Sequence, residues 1–175
     1  MRNLKTGVFL SALFLVNFSI ASLVRGLSFP ASETMASFLP PAPKGWEEAP
    51  APNTVFDIPG TGSIIQQTYE DPSGRTIAVM VQALIPRTTQ TETGGEEVPQ
   101  CRYDSKEYDI QGFRVYDMIF QCPDSSGHTL YTALLDSKDL LLSVSAYEEG
   151  AVPDDGTLKA LIESMDLKGL RGLVG

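Results

Sequence analysis

The sequence predicts an α+β fold, in which an antiparallel sheet of five to seven strands is covered by a C-terminal amphipathic helix. Between residues 63 and 147, apolar side chains alternate with other residues along several stretches, and turn signals separate these stretches. The period then changes, because Leu158, Leu161, Ile162 and Met165 fall on one face of a helix. A helix with one apolar stripe has to bury it, and the sheet is the available surface.

Residues 1–21 have the pattern of a secretory signal peptide. Arg2 and Lys5 precede the apolar run 7–16, and small residues follow up to Ala21. The alternative is an uncleaved membrane anchor, but polar residues interrupt the roughly 20 apolar residues that a span needs. Cleavage after Ala21 would leave 154 of the 175 residues and would change the net charge from −9 to −11, since Arg2 and Lys5 are lost. We expect a periplasmic or secreted protein.

Residues 22–45 are predicted to be an extended lead-in, because LPPAPKG at 39–45 is rich in proline. A short helical segment is expected within it at 32–39. Trp46 is the only tryptophan, and we expect it to anchor the start of a single domain, residues 46–175, in the core. Stacking of Trp46 on a ligand is the alternative.

The first hairpin is predicted from two alternating stretches, Ser63–Tyr69 and Thr76–Leu84. They flank the sequence 71–74, DPSG, which has proline and glycine at the positions that a β-turn favours. Residues 86–99 are polar and rich in Thr, Gly and Glu, which predicts a mobile loop.

The second hairpin is centred on Gln111 and Gly112, the only turn signal between Cys101 and Cys122. If these two residues form a two-residue turn, in which glycine supplies a positive φ, Cys101 lies directly opposite Cys122. The same register brings together complementary pairs that were not used to choose it: Asp109 with Arg114, Lys106 with Asp117, Tyr103 with Phe120, and Tyr108 with Val115. In an exported chain this spacing predicts a disulfide. A redox-active pair is disfavoured because no C-x-x-C is present.

The last elements are two strands and the amphipathic helix. The strands are predicted at His128–Leu135 and from Leu140 to Tyr147. Asp154 is the expected N-cap of the helix, and Gly169 is the expected stop.

The sequence contains no recognisable catalytic, cofactor-binding or metal-binding constellation. His128, the single histidine, is expected to lie exposed beside a turn, although a hydrolase using Ser125 or Ser126 with His128 is an alternative. No G-x-S-x-G elbow supports that alternative. One histidine and two paired cysteines are too few for a closed zinc site. The excess of 22 acidic over 13 basic residues argues against a nucleic-acid partner, and we expect no membrane association after signal cleavage.

The segment LPPAPKGW at 39–46 resembles the start of a group of uncharacterised exported proteobacterial proteins with an LP-x-x-P-x-GW opening. The late portion 140–170, which includes Asp166 and Leu170, is similar to their final strand and helix, and the resemblance covers most of residues 39–173. The chain departs from the group in its two cysteines and its longer acidic loop. The order of elements also resembles the PsbP-like α/β/α sandwich, a fold of accessory proteins that implies no particular chemistry.

These observations together favour an exported, non-enzymatic binding or accessory domain. We expect it to engage a protein or a small molecule through the loop 86–99 and the neighbouring sheet edges, because this loop is long for a simple connection. Two alternatives stay open: the hydrolase using Ser125 or Ser126 with His128, and a structural subunit of an envelope complex.

Overall fold

A computed structural model describes residues 29–49, 54–58, 61–85, 102–123, 125–137, 139–150 and 156–174. The predicted signal peptide, the loop 86–99 and Cys101 lie outside these residues. Within the described part of the chain, no helix has the length and apolar character needed to cross a membrane.

The described residues form three helices and eight strands. The helices are α1 (Ser32–Ala36), α2 (Thr157–Ser164) and α3 (Leu167–Gly172). The strands are β1 (Glu47–Glu48), β2 (Thr54–Ile58), β3 (Gly62–Glu70), β4 (Thr76–Leu84), β5 (Arg102–Ile110), β6 (Phe113–Gln121), β7 (Ser126–Asp136) and β8 (Leu141–Glu149).

The strands form one antiparallel sheet in the order β1-β3-β4-β8-β7-β6-β5. β2 pairs with β3 as well, beside residues 62–66, whereas β1 pairs with Tyr69 and Glu70. The sheet is therefore seven strands wide, with two short strands sharing one edge. This arrangement confirms the predicted α+β class and the predicted first hairpin.

One face of the sheet, here called the inner face, carries the core. Along β3, β4, β7 and β8 most inward positions are apolar and fully or almost fully buried, for example Ile65, Val79, Leu130 and Val144. Helix α1 packs on β2 and β3, α2 packs on β7 and β8, and α3 packs on β7. Met35 of α1 is 0% exposed within the same core, so the lead-in is packed as part of the domain.

The β5–β6 hairpin has the predicted register. Ile110 pairs with Phe113 and Arg102 pairs with Gln121, while Gln111 and Gly112 both have positive φ, 57° and 87°. These angles are those of a type I′ turn, whose twist matches that of the flanking strands. The next pair outward would be Cys101 and Cys122. Cys122 is not free, but Cys101 lies outside the described residues, so the disulfide stays a prediction.

The turn of this hairpin also holds the two C-terminal helices together. The side-chain amide of Gln111 donates to the carbonyl oxygen of Met165 at 2.6 Å, and its Oε1 accepts from the backbone N–H of Leu167 at 3.2 Å. Both backbone groups belong to the junction between α2 and α3, where helix ends leave polar groups without intrahelical partners. Gln111 therefore fixes the hairpin and the helix pair in one arrangement.

We expect Gln111→Asn to lower the free energy of unfolding by about 1–3 kcal/mol, because the shorter amide leaves the buried helix junction without its partners. Asparagine tolerates a positive φ, so the turn itself is kept. Urea unfolding measures the loss. Gln121→Asn, at an exposed position of the same hairpin, is the matched control. Equal stability of the two variants would contradict this role of Gln111.

The predicted ends of the C-terminal helix are wrong. Helix α2 begins at Thr157 with Gly156 as its N-cap, at φ 78°, and Asp154 lies outside the described residues. Gly169 does not end a helix, because it lies inside α3. A side chain at Gly169 would collide with Asp166 and Phe38, so glycine is needed there for space.

Helix α1 is attached to β2 through one carboxylate. Ser32 donates to Asp57 twice, from its hydroxyl at 2.6 Å and from its backbone N–H at 3.1 Å. The Ser32 hydroxyl is the main reason that the pKa of Asp57 lies below its usual range, and the Ser63 hydroxyl contributes in the same direction. The charged form of Asp57 therefore favours the attached helix.

Acid should release α1 from β2. Because the folded-state pKa of Asp57 is lowered, its contribution is complete above the ordinary carboxyl value of 3.8 and is lost as the pH falls through the lowered value. The backbone amide signal of Ser32, followed by NMR during acid titration, should report this change. In Asp57→Asn the signal should be displaced at all pH values, whereas Asp71→Asn should leave the titration intact. A titration of Ser32 that persists in Asp57→Asn would contradict the assignment.

Candidate functional site

Three acidic or basic side chains are buried on the mostly apolar inner face, in its described part. Asp117 of β6, His128 of β7 and Glu148 of β8 are each 3% exposed. On one side, His128 lies directly opposite Glu148 of β8. On the other side it pairs with Ile119 of β6, and Asp117, two residues before Ile119, faces the same way. The polar groups therefore form a row that runs across three neighbouring strands.

The first contact of this row joins His128 and Asp117. The Nε2 atom of His128 is 2.7 Å from Oδ1 of Asp117, which is a hydrogen bond when the imidazole is neutral and an ion pair when it is protonated. The prediction of an exposed turn histidine is wrong: β7 begins at Ser126, two residues before His128, and strand alternation turns the imidazole into the core.

The two serines of the hydrolase alternative are not brought to His128. Ser125 is exposed, Ser126 is half-buried, and neither makes a hydrogen bond with His128 among the described residues. Both serines instead border a separate depression with Phe120. A hydroxyl nucleophile would have to lie within hydrogen-bond reach of a ring nitrogen of His128, and neither serine does so in this structure.

The second contact of the row joins Glu148 and Arg75. The Nε atom of Arg75 is 2.7 Å from Oε1 of Glu148 and 3.9 Å from Oδ2 of Asp71. Arg75 is the residue just before β4 and lies two positions before the inward-facing Ile77. Ile77 pairs with Glu148 of β8, so Arg75 comes close to Glu148. The guanidinium carbon of Arg75 also lies 5.0 Å from the centre of the Trp46 ring, in a cation–π contact.

Trp46 is one wall of a cleft between the lead-in and helix α2. The cleft has a volume of about 430 Å³, within the range of small-molecule sites. The lead-in contributes Pro41, Ala42, Pro43 and Lys44, and Trp46 directly follows it. The helix side contributes Gly156, Thr157, Ala160, Leu161 and Ser164. Trp46 packs against the core but keeps part of its surface exposed, so it is not only the core anchor that the sequence predicted.

The lead-in wall of this cleft is fixed to the sheet by Tyr69. The hydroxyl of Tyr69, which is 0% exposed, donates to the carbonyl oxygen of Pro40. Burial raises the pKa of Tyr69, and the negative charge of Glu48 adds to this effect. The hydroxyl therefore stays protonated and keeps its role as a donor to the lead-in.

Sequence reasoning missed Asp117, Glu148 and Arg75 as members of a site. The sequence did contain a signal for the two acids, because residues two positions apart in a strand face the same side of the sheet. Asp117 comes two positions after the buried Val115, and Glu148 comes two positions after the buried Ala146. The signal was weaker for Arg75, which has the same alternation as Ile77 but lies outside the strand, directly after the turn 71–74. Within the described residues, no group of histidine, cysteine, aspartate and glutamate side chains is arranged to hold a metal ion.

In comparisons with known proteins, no family model, no curated protein and no solved structure matches this chain.

Proposed function

We propose that this protein is an exported, non-enzymatic binding domain, and that it holds a small organic molecule in the cleft between the lead-in and helix α2. The observation that carries the proposal is the partly exposed side chain of Trp46 in a cleft of about 430 Å³. Small-molecule sites are typically concave and largely apolar, with a few polar groups that orient the ligand.

The chemistry of the cleft favours binding over catalysis. Its described lining contains no histidine, cysteine or carboxylate side chain. Lys44 is its one charged side chain, beside the hydroxyls of Thr157 and Ser164. A flat apolar molecule with an anionic group would match the Trp46 ring and the Lys44 ammonium together.

The loop 86–99 stays a predicted contact surface, and the cleft is proposed beside it as the site for a small molecule. That loop lies outside the described residues, whereas both walls of the cleft are built on packed elements. Tyr69 holds the lead-in wall, and Leu158 and Ile162 of α2 are buried in the core. A site on supported walls loses less conformational freedom when a ligand binds.

The test uses the single tryptophan as a reporter. We expect 8-anilinonaphthalene-1-sulfonate, a flat aromatic anion, to quench the emission of Trp46 by energy transfer with saturable binding. Ala160→Phe places a ring in the cleft at an exposed helix position and should abolish the saturable phase. Glu163→Phe adds the same ring at an exposed position of α2 outside the cleft and should leave binding unchanged.

Circular dichroism of both variants checks that the fold is kept. If the wild-type protein shows no saturable quenching, or if Ala160→Phe binds the probe as well as the wild type, the proposed function is wrong.

A further inference from the structure

Arg75 and Glu148 form an ion pair at the edge of the core. Stabilisation of the fold is not a sufficient reason for an ion pair in this position. The Glu148 side chain is 1% exposed and that of Arg75 is 29% exposed. Ion pairs buried to this degree are often no more stabilising than apolar residues of similar size, because both charges lose water. Inward neighbours of Glu148 such as Ile77 and Ala146 show that this face accepts apolar side chains.

The contacts of Arg75 point to a different role. One side of its guanidinium group meets Glu148 at 2.7 Å, and the group lies 5.0 Å from the centre of the Trp46 ring. Arg75 is not among the residues that line the cleft, so it contacts the indole from outside. Glu148 belongs to β8, which is hydrogen-bonded on both sides, by β4 and β7, and is thus firmly held.

We propose that Glu148 is a positioning residue for the cleft, which acts through Arg75 to hold the indole of Trp46 at the orientation that receives the ligand. This inference rests on the proposed function, since it assigns a support to the same site. Arginine suits the role because its planar group can stack on a ring while its edge pairs with a carboxylate. Glu148 and Arg75 thus connect the central strand β8 to Trp46 in the cleft wall, and neither of them would contact the ligand.

The orientation of Trp46 can be tested before any probe is added. In Glu148→Gln the carboxylate charge is lost while the side-chain shape is kept, so Arg75 loses its nearer carboxylate and keeps only the more distant Asp71, at 3.9 Å, as a described ion-pair partner. We expect acrylamide quenching of Trp46 emission to rise about twofold, and the affinity for 8-anilinonaphthalene-1-sulfonate to fall about tenfold, an ordinary effect for the loss of one well-placed contact. Glu163→Gln, an exposed carboxylate on α2 that pairs with Lys159 at 3.5 Å, is the control and should change neither value.

A second variant covers the case in which Glu148→Gln does not fold. Arg75→Leu combined with Glu148→Leu removes both charges of the buried pair and leaves only the partly exposed Asp71 without its arginine, and it should also loosen the indole and weaken probe binding.

The two proposals fail in different ways. Wild-type protein that does not bind the probe overturns the proposed function. Wild-type binding together with unchanged acrylamide quenching and probe affinity in a folded Glu148→Gln or double-leucine variant overturns the positioning role.

Discussion

Replacing Asp117 by Ala is expected to lower the free energy of unfolding by about 3 kcal/mol, because a buried polar group is left without its hydrogen-bond partner. The reason is the position of His128, which is 3% exposed and has Asp117 Oδ1 at 2.7 Å from its Nε2. Without the carboxylate, the imidazole would be buried with its Nε2 unpaired. Chemical denaturation followed by circular dichroism measures the loss.

Two further variants separate this effect from a simple change of volume. Asp104→Ala removes an exposed carboxylate from the neighbouring strand β5, and we expect a change below about 0.5 kcal/mol. Asp117→Leu combined with His128→Leu removes both polar groups and should regain most of the stability. If Asp117→Ala costs no more than Asp104→Ala, the contact between Asp117 and His128 contributes nothing to stability.

The double variant Cys101→Ser, Cys122→Ser should be less stable than the oxidised wild type by about 3 kcal/mol, the entropy of closing a loop of this length in the unfolded chain. The described register brings Arg102 opposite Gln121, so the backbone geometry leads toward a facing pair at 101 and 122. Urea unfolding with and without a reductant measures the difference. The reductant should destabilise the wild type and leave the variant unchanged.

Thiol labelling of the unfolded, non-reduced protein is the independent control. Two labelled cysteines in protein taken from an oxidising compartment would mean that the bridge does not form.

The hairpin register could be predicted because all of its determinants are local. Gln111 and Gly112 fix the turn, and strand pairing then follows residue by residue to Arg102 and Gln121. One detail escaped this reasoning. Arg114 makes its ion pair with Glu107 at 3.6 Å, while the facing Asp109 accepts a hydrogen bond from the backbone N–H of Gly112 at 3.1 Å. The strand register determines which residues face each other, but a long side chain can pair with a diagonal neighbour instead of the facing residue.

The position of His128 was mispredicted for a local reason as well. The residues just before it, Ser125 to Gly127, are typical of a turn, and this favoured an exposed histidine. In the structure β7 begins at Ser126 and pairs with both β6 and β8, so strand alternation decides that His128 points inward. The turn propensity of residues 125–127 was outweighed by the pairing of β7 with β6 and β8.

The sequence by itself determined the α+β class, the two hairpins and the apolar stripe of α2, because these features depend on periodicity and turn chemistry within short stretches. Only the tertiary structure decided the site. Trp46, Arg75 and Glu148 are separated by 29 and 73 positions in the chain, and the strand order places β4 beside β8 and brings them together. Strand order is a property of the whole sheet, since it depends on which distant strands bury their apolar faces side by side, and no local pattern encodes it.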